Sequence, residues 1–217
     1  MDSGAQRGRF LALEGVEGAG KSTQARLLGD WLSRQGVPHV VTREPGGTAL
    51  GEQVRRALLD SERVTARAEL LLMLAARATL VDEVVAPALA HGVVVITDRF
   101  SLSTLAYQAR GRGLPEAEVR QLNAFATGGV EPDLTVVLDV PLAMGAERLD
   151  RRARARDRFE QAEAEFHARV ARAYGDFVDS EPSVERVDGT NGVEEVHAAI
   201  LALLRERFPE TFIAGEG

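Results

Sequence analysis

The segment Gly15–Ser22, GVEGAGKS, constrains the fold of this chain more than any other feature. It matches G-x-x-x-x-G-K-[ST], a loop whose backbone N–H groups surround phosphates, and an apolar run, Phe10–Glu14, leads into it. Its glycines permit tight turns and leave space for phosphate oxygens beside bare backbone. A helix that begins within the loop adds the positive end of its dipole. The pattern therefore predicts a strand–loop–helix unit that binds the phosphates of a nucleotide.

Lys21 and Ser22 carry the chemistry of this loop. A lysine here reaches the β- and γ-phosphates of ATP, and the following hydroxyl ligates Mg²⁺. The chain has 26 basic residues and Lys21 is its only lysine, which indicates a site that needs a compact ammonium group. Without a second lysine, the Asn-Lys-x-Asp element of guanine-specific switches is absent. The predicted nucleotide-binding residues are Gly15, Val16, Glu17, Gly18, Ala19, Gly20, Lys21, Ser22 and Thr23.

Composition narrows the class of protein. A length of 217 residues suits one α/β domain, and a net charge of −7 argues against non-specific binding of nucleic acid. There is no cysteine, which excludes disulfides and thiolate metal sites and fits a reducing compartment. No apolar run is long enough to cross a bilayer. We therefore expect a cytoplasmic protein with no membrane or nucleic-acid partner.

Short β-branched runs alternate with longer helical stretches, the pattern of a parallel sheet covered by helices on both faces. The predicted strands are Arg9–Leu13, His39–Arg43, Val93–Thr97, Leu134–Leu138 and Ser183–Val187. The predicted helices are Lys21–Gln35, Leu50–Leu59, Ala66–Ala90, Pro115–Ala126, Pro141–Arg151, Arg158–Asp179 and Val193–Arg207. The expected fold is a five-stranded P-loop NTPase domain over residues 9–208, between a flexible leader (1–8) and a flexible tail (209–217).

Further polar clusters follow the second and third predicted strands, where open α/β sheets place their ligands. Thr42–Thr48 combines an arginine with a Pro-Gly-Gly turn, and alone it could be an ordinary surface turn. Asp98 stands at a strand end where P-loop proteins place the acid that holds magnesium, and Arg99 beside it could bind an acceptor phosphate. A simple salt bridge is the alternative there. Arg77, on an apolar helix face, needs a partner or a ligand unless it reaches solvent.

Taken together, these motifs resemble those of the thymidylate kinase family over nearly the whole chain. The resemblance rests on EGVEGAGKS at Glu14–Ser22, TREPGGT at Thr42–Thr48 and AAR at Ala75–Arg77. It continues with DRFSLSTLAYQ at Asp98–Gln108 and DRFE at Asp157–Glu160. Several ordered motifs at matching intervals are more specific than any one of them.

The resemblance implies transfer of a phosphoryl group from MgATP to dTMP, and a homodimer. It implies that Glu17 contacts the 3′-hydroxyl of the acceptor sugar and that Arg43 and Arg99 bind the acceptor phosphate. Arg77 would face the base carbonyl. Ser22 and Asp98 would hold the magnesium ion.

The same resemblance assigns the base and sugar contacts to one short segment. Ser103 and Thr104 would lie along the base edge, and Tyr107 would fill the space beside C2′ and so favour deoxyribose. Gln108 is a further contact near that tyrosine. The family usually stacks a phenylalanine on thymine, whereas the matching position here is Met73. A thioether can also pack on a ring face.

An arginine-rich segment, at about residues 148–160, follows the fourth strand. By composition alone it would be a solvated helix or a nucleic-acid patch. In a kinase it is a lid that brings guanidinium groups over the phosphates and excludes water. The phosphate loop has Glu17 and no arginine at its variable positions, so the catalytic arginine is expected from this lid, as in the bacterial members of the family. Arg156 is the first candidate, followed by Arg152 and Arg154.

Two other functions remain as alternatives. A kinase for another deoxynucleotide or nucleoside would share the phosphate loop, and the Met73 departure keeps it open. A P-loop ATPase or switch would hydrolyse ATP without dependence on a small acceptor. The acidic net charge and the clustered acceptor motifs argue against the second alternative.

Overall fold

Five parallel strands form the centre of the fold in a computed structural model that describes residues 7–61, 63–151, 159–160 and 162–212. They pair in the order β2-β3-β1-β4-β5, and each pairing is parallel. The strands are β1 (Phe10–Glu14), β2 (His39–Arg43), β3 (Val94–Asp98), β4 (Leu134–Asp139) and β5 (Val184–Asp188). The predicted α/β architecture is therefore confirmed.

The helices of the described residues lie on both faces of this sheet. They are α1 (Lys21–Arg34), α2 (Ala49–Asp60), α3 (Ala66–Leu80), α4 (Ala86–Ala90), α5 (Ser101–Thr104), α6 (Glu116–Thr127), α7 (Leu142–Asp150), α8 (Ala164–Ser180), α9 (Val193–Arg207) and α10 (Pro209–Phe212). A wider, π-helical segment, Val81–Val85, joins α3 to α4, so the predicted helix Ala66–Ala90 exists with a local change of winding. Among these helices none is long and apolar enough to span a membrane.

The register of the central strands places the candidate site. β1 and β3 each extend one residue further than predicted, and their last residues are Glu14 and Asp98. Leu13 of β1 and Arg43 of β2 both stand beside Asp98 in the sheet. Because carboxyl ends of parallel strands meet at one edge, this register collects the polar motifs at a single edge.

The edge strands correct one expectation. All five strands were expected to be buried on both faces, but β2 and β5 are partly exposed, and Val41 in β2 is 42% exposed. Both lie at the two ends of the strand order, with a single neighbour each. Their apolar sequences predict strands, but they do not predict that these strands lie at the edges of the sheet.

The segment Ser101–Gly111 is helical although the helix prediction omitted it. It comprises α5 and a π-helical segment, Leu105–Gly111. Nearly all of its side chains are buried, polar ones included, so it lacks the apolar stripe by which a helix is recognised. A second difference is that α8 begins at Ala164 rather than Arg158, which lies outside the described residues.

Both ends of the described chain contact the rest of the fold. The backbone N–H of Gly8 donates to Leu89 O at 2.8 Å, and Arg7 pairs with Asp133. At the other end α10 replaces part of the predicted tail, because Phe212 is fully buried and stacks on Trp31 at 6.0 Å. The remainder of the predicted leader and tail lies outside the described residues.

Candidate active site

One open cleft, with a cavity volume of about 240 Å³, lies at the carboxyl edge of the sheet. The predicted residues that line it are Glu17, Gly18, Gly20, Lys21, Ser22, Arg43, Met73, Arg77, Asp98, Arg99, Ser103, Thr104, Tyr107 and Gln108. Gly15, Val16, Ala19 and Thr23 belong to the same loop and helix start without lining the cleft. Tertiary folding thus brings together residues from the loop after β1, from β2 and β3, from the helices α1, α3 and α5, and from the π-helical segment Leu105–Gly111.

The phosphate loop has the left-handed backbone that its glycines were expected to supply. Gly15, Gly18 and Gly20 have φ values of 134°, 75° and 102°, and α1 begins directly after Gly20. The loop also rests on α7, because a Cβ at Gly145 would lie 2.5 Å from Glu17 O. Sequence analysis missed Gly145, since nothing local indicates which helix supports the loop.

Lys21 is buried at the base of the loop. Its Nζ donates to Val16 O at 2.7 Å and to Gly15 O at 3.1 Å. Burial, followed by the positive charge of Arg99, lowers the pKa of Lys21 to about 8. The ammonium therefore remains largely protonated at pH 7, bound to carbonyl oxygens that a phosphate would replace.

Ser22 and Asp98 form an oxygen pair next to Lys21. Ser22 Oγ donates to Asp98 Oδ2, and both residues line the cleft. The described residues contain no cluster of three or more His, Asp or Glu side chains suited to a metal. Magnesium needs no such cluster, because it keeps several waters and binds through one or two protein oxygens and the substrate phosphates. The pair fits that mode.

Arg99 lines the cleft beside the phosphate loop. It has φ 76°, a sparsely populated value for a residue with a side chain, and such strain is characteristic of functional sites. Its Nη1 donates to Gly15 O, Ser103 Oγ and the Tyr174 hydroxyl at 3.0–3.2 Å. Its Nη2 donates to the Tyr107 hydroxyl at 3.0 Å. The guanidinium is thereby fixed at the cleft wall.

Glu14 supports the groups around Arg99 through hydrogen bonds, a role that sequence analysis missed. The carboxylate is fully buried and accepts from the backbone N–H groups of Phe100 and Ser103 at 2.8 and 3.0 Å. It also accepts from Ser103 Oγ at 2.6 Å and the Tyr174 hydroxyl at 2.8 Å. A buried carboxylate with several donors is stable, and it orients groups that contact Arg99.

Arg77 is buried rather than reaching solvent. Its Nε donates to both Glu44 oxygens, at 2.8 and 3.1 Å, and Nη1 donates to Thr104 Oγ1 at 2.7 Å and Asn123 Oδ1 at 2.5 Å. Only 2% of Arg77 is exposed. Burial raises the pKa of Glu44, and the charge of Arg77 counteracts that rise. The partner that an arginine on an apolar helix face requires is therefore Glu44, which sequence analysis did not assign.

The remaining residues that were predicted to bind substrate line the same cleft. Gln108 Nε2 donates to the buried Glu69 at 2.9 Å. Met73 packs against the apolar cluster of Val54, Leu58 and Ala76 while lining the cleft. The hydroxyls of Ser103 and Thr104 hold neighbouring side chains in this state, as the contacts to Glu14 and Arg77 show.

Two arginines stand nearer the cleft mouth. Arg43, with 55% of its side chain exposed, pairs with Glu52 of α2. Arg55, which sequence analysis missed, donates from Nη1 to Pro45 O at 3.1 Å. Leu59 also lines the cleft and was missed, whereas Glu44, Pro45, Phe159 and Glu160 line it from the motifs Thr42–Thr48 and Asp157–Glu160. The three lid arginines, Arg152, Arg154 and Arg156, lie outside the described residues.

Comparison with known proteins gives a consistent result. The sequence model of the thymidylate kinase family matches residues 13–200. The chain is 49% identical to a thymidylate kinase of Synechococcus sp. (strain JA-3-3Ab), over 91% of this chain and 96% of that protein. It is 47% identical to one of Desulfovibrio desulfuricans, over 91% of this chain and 97% of that protein. The crystal structure of thymidylate kinase from Ehrlichia chaffeensis superposes with a TM-score of 0.74 at 31% identity, covering 91% and 99% of the two chains.

Proposed function

The chain belongs to the thymidylate kinase family, and from that premise we propose that it transfers the γ-phosphoryl group of ATP to dTMP, giving dTDP and ADP. The observation that carries the proposal is a single cleft with a phosphate loop on one side and fixed acceptor-side arginines on the other. In this arrangement the two phosphate groups meet between Lys21 and Arg99.

The donor side follows from the loop. Backbone N–H groups of Gly15–Ser22 and the start of α1 receive the phosphates of ATP, and Lys21 exchanges its carbonyl partners for phosphate oxygens. Ser22 and Asp98 hold the magnesium ion, which neutralises charge on the phosphates when bound. Both residues already contact each other beside Lys21, which supports this assignment.

The acceptor side binds anion, sugar and base in turn. Arg99 receives the dTMP phosphate, assisted at the cleft mouth by Arg43 and Arg55. The Glu17 carboxylate accepts a hydrogen bond from the 3′-hydroxyl. Glu17 is ionised although it is buried. Burial raises the pKa of Glu17, but His167, Arg99 and Lys21 together outweigh that effect and lower it to about 2.

The base and C2′ contacts complete this assignment. Arg77, already oriented by Glu44, faces the base carbonyl, and Tyr107 fills the space beside C2′. Ser103, Thr104 and Gln108 line the same wall, and Met73 packs on the base. Their positions in one cleft support these roles.

Catalysis needs no general base in this scheme. A nucleotide phosphate is already anionic, so orientation and charge neutralisation carry the reaction. The lid supplies the last positive charge through Arg156, with Arg152 and Arg154 as the next candidates. This assignment remains a prediction from sequence, since these residues lie outside the described part of the chain.

The decisive experiment measures ADP release from MgATP with dTMP, dUMP, UMP, dCMP, dGMP and AMP offered separately. We expect strong stimulation by dTMP and little by UMP, because Tyr107 lies where a 2′-hydroxyl would need space. Stronger stimulation by another deoxynucleotide would identify a different acceptor. Equal, feeble release with every acceptor would contradict a kinase function and favour an ATPase or switch.

A homodimer forms through α3 and α6 in this proposal. These helices pack on each other and expose Leu71, Leu122 and Phe125, the last of which is 88% exposed. Exposed apolar side chains of this size on two packed helices are characteristic of an interface.

Phe125→Asp is expected to convert the dimer to monomer at micromolar concentration, because it places a charge on this apolar surface. Sedimentation velocity over a concentration series measures the change. Val193→Asp is the matched control, since Val193 is also exposed (51%) but lies at the start of α9. A wild-type protein that sediments as a monomer, or equal effects of the two variants, would contradict the proposed interface.

A further inference from the structure

The Glu17 carboxylate is satisfied on one side only. Its Oε1 lies 3.4 Å from Arg99 Nη2. Its Oε2 is buried and has no hydrogen-bond partner among the described residues. The Nδ1 of His167 lies 3.6 Å from Oε2, in ion-pair range but slightly beyond a hydrogen bond. A buried carboxylate oxygen without a donor is unfavourable, so this gap requires an explanation.

His167 is held in place by its own element. It lies in the first turn of α8, and its ring meets Phe166 edge-on at 5.5 Å. Phe166 in turn packs edge-on against Tyr107 at 6.0 Å, and Tyr174 of the same helix donates to Glu14. With 17% of its side chain exposed, His167 is a partly buried ring aimed at the phosphate loop.

We propose that His167 is a positioning residue that holds the Glu17 carboxylate toward the sugar hydroxyl of the acceptor. The inference rests on the proposed function, in which Glu17 accepts from that hydroxyl. A carboxylate has about four lone-pair sites, so one oxygen can bind the hydroxyl while the other accepts from His167. Fixing the carboxylate before the acceptor arrives reduces the ordering cost of binding.

This role affects how well the enzyme distinguishes acceptors as well as how tightly it binds dTMP. Acceptors with a 3′-hydroxyl gain from an oriented Glu17, whereas acceptors without that hydroxyl do not. A residue that merely stabilised α8 would affect both kinds of acceptor equally. The two roles can therefore be separated with a pair of substrates that differ by one oxygen.

The test compares wild type, His167→Leu and His167→Asn with dTMP and 2′,3′-dideoxythymidine 5′-monophosphate. For His167→Leu we expect kcat/KM with dTMP to fall about tenfold, mainly through KM, because the variant lacks the donor that we propose binds the charged Glu17 carboxylate. With the dideoxy acceptor we expect a change of less than about twofold. His167→Asn retains an N–H donor near the Nδ1 position and should recover most of the loss.

His91→Leu is the matched control, because His91 is an exposed histidine at the end of α4, bonded to Pro87 O. It should leave both acceptors unaffected. Equal losses with both acceptors, or no loss with dTMP, in an enzyme active on dTMP would overturn the role of His167 alone. A wild-type enzyme inactive on dTMP would instead overturn the proposed function, and this inference with it.

Discussion

Lys21→Met is expected to lower kcat on the order of 10³-fold while leaving the fold intact, because it removes a positive charge placed at the transferred phosphate. Methionine has a similar length and is tolerated in buried surroundings. No other lysine exists in the chain to replace it. The measurement is ADP release at saturating dTMP and MgATP, with thermal unfolding as the check on folding.

Lys21→Arg is the matched control for charge. Lys21 is buried against two loop carbonyls, and a planar guanidinium does not fit the place of a compact ammonium. We therefore expect Lys21→Arg to be impaired almost as severely, although its charge is retained. Activity of Lys21→Met within tenfold of wild type would contradict the role assigned to Lys21.

Arg77→Ala is expected to destabilise the protein by about 3–5 kcal/mol, because it leaves the buried Glu44 carboxylate without its partner. The same change also removes the donors to Thr104 and Asn123. Urea unfolding followed by circular dichroism measures the free energy of unfolding. Thymidine nucleotide binding should weaken as well, since Arg77 faces the base in the proposed site.

The double variant Arg77→Ala with Glu44→Gln separates charge from packing. A neutral amide at Glu44 needs no counter-ion, so we expect the double variant to be more stable than Arg77→Ala alone. Arg110→Ala is the matched control: Arg110 pairs with Glu116 at the surface, and its loss should cost less than about 1 kcal/mol. If Arg77→Ala lowered the free energy of unfolding by as little as Arg110→Ala, strong coupling between Arg77 and Glu44 would be contradicted.

Several features of this protein could be read from local sequence. The loop Gly15–Ser22, its strand and its helix follow from a pattern whose residues are close together in the chain. All five strands were found, each with bounds within one residue, because apolar β-branched runs have a local signature. The acceptor motifs, Thr42–Thr48 and Asp98–Gln108, were likewise visible, since each is a contiguous segment that follows a strand.

Other features depend on residues far apart in sequence. Glu44 was visible within its motif, but its pairing with Arg77 was not. Glu14 and Tyr174 likewise meet only because β1 and α8 pack at the same edge of the sheet. The periodicity of the sequence does not predict such a contact, because the free energy of the contact arises from burial and hydrogen bonding after the elements have packed.

The division between sequence and tertiary structure therefore has a physical basis. Local sequence is enough to predict the phosphate loop, the alternation of strands and helices, and the chemical groups of the candidate site. Each of these depends on residues that are neighbours in the chain. The packing of distant elements decides which strands lie at the edges of the sheet, which carboxylate neutralises Arg77, and that His167 faces Glu17. Those outcomes depend on how whole elements pack, since burial strengthens electrostatic interactions and makes unpaired polar groups costly.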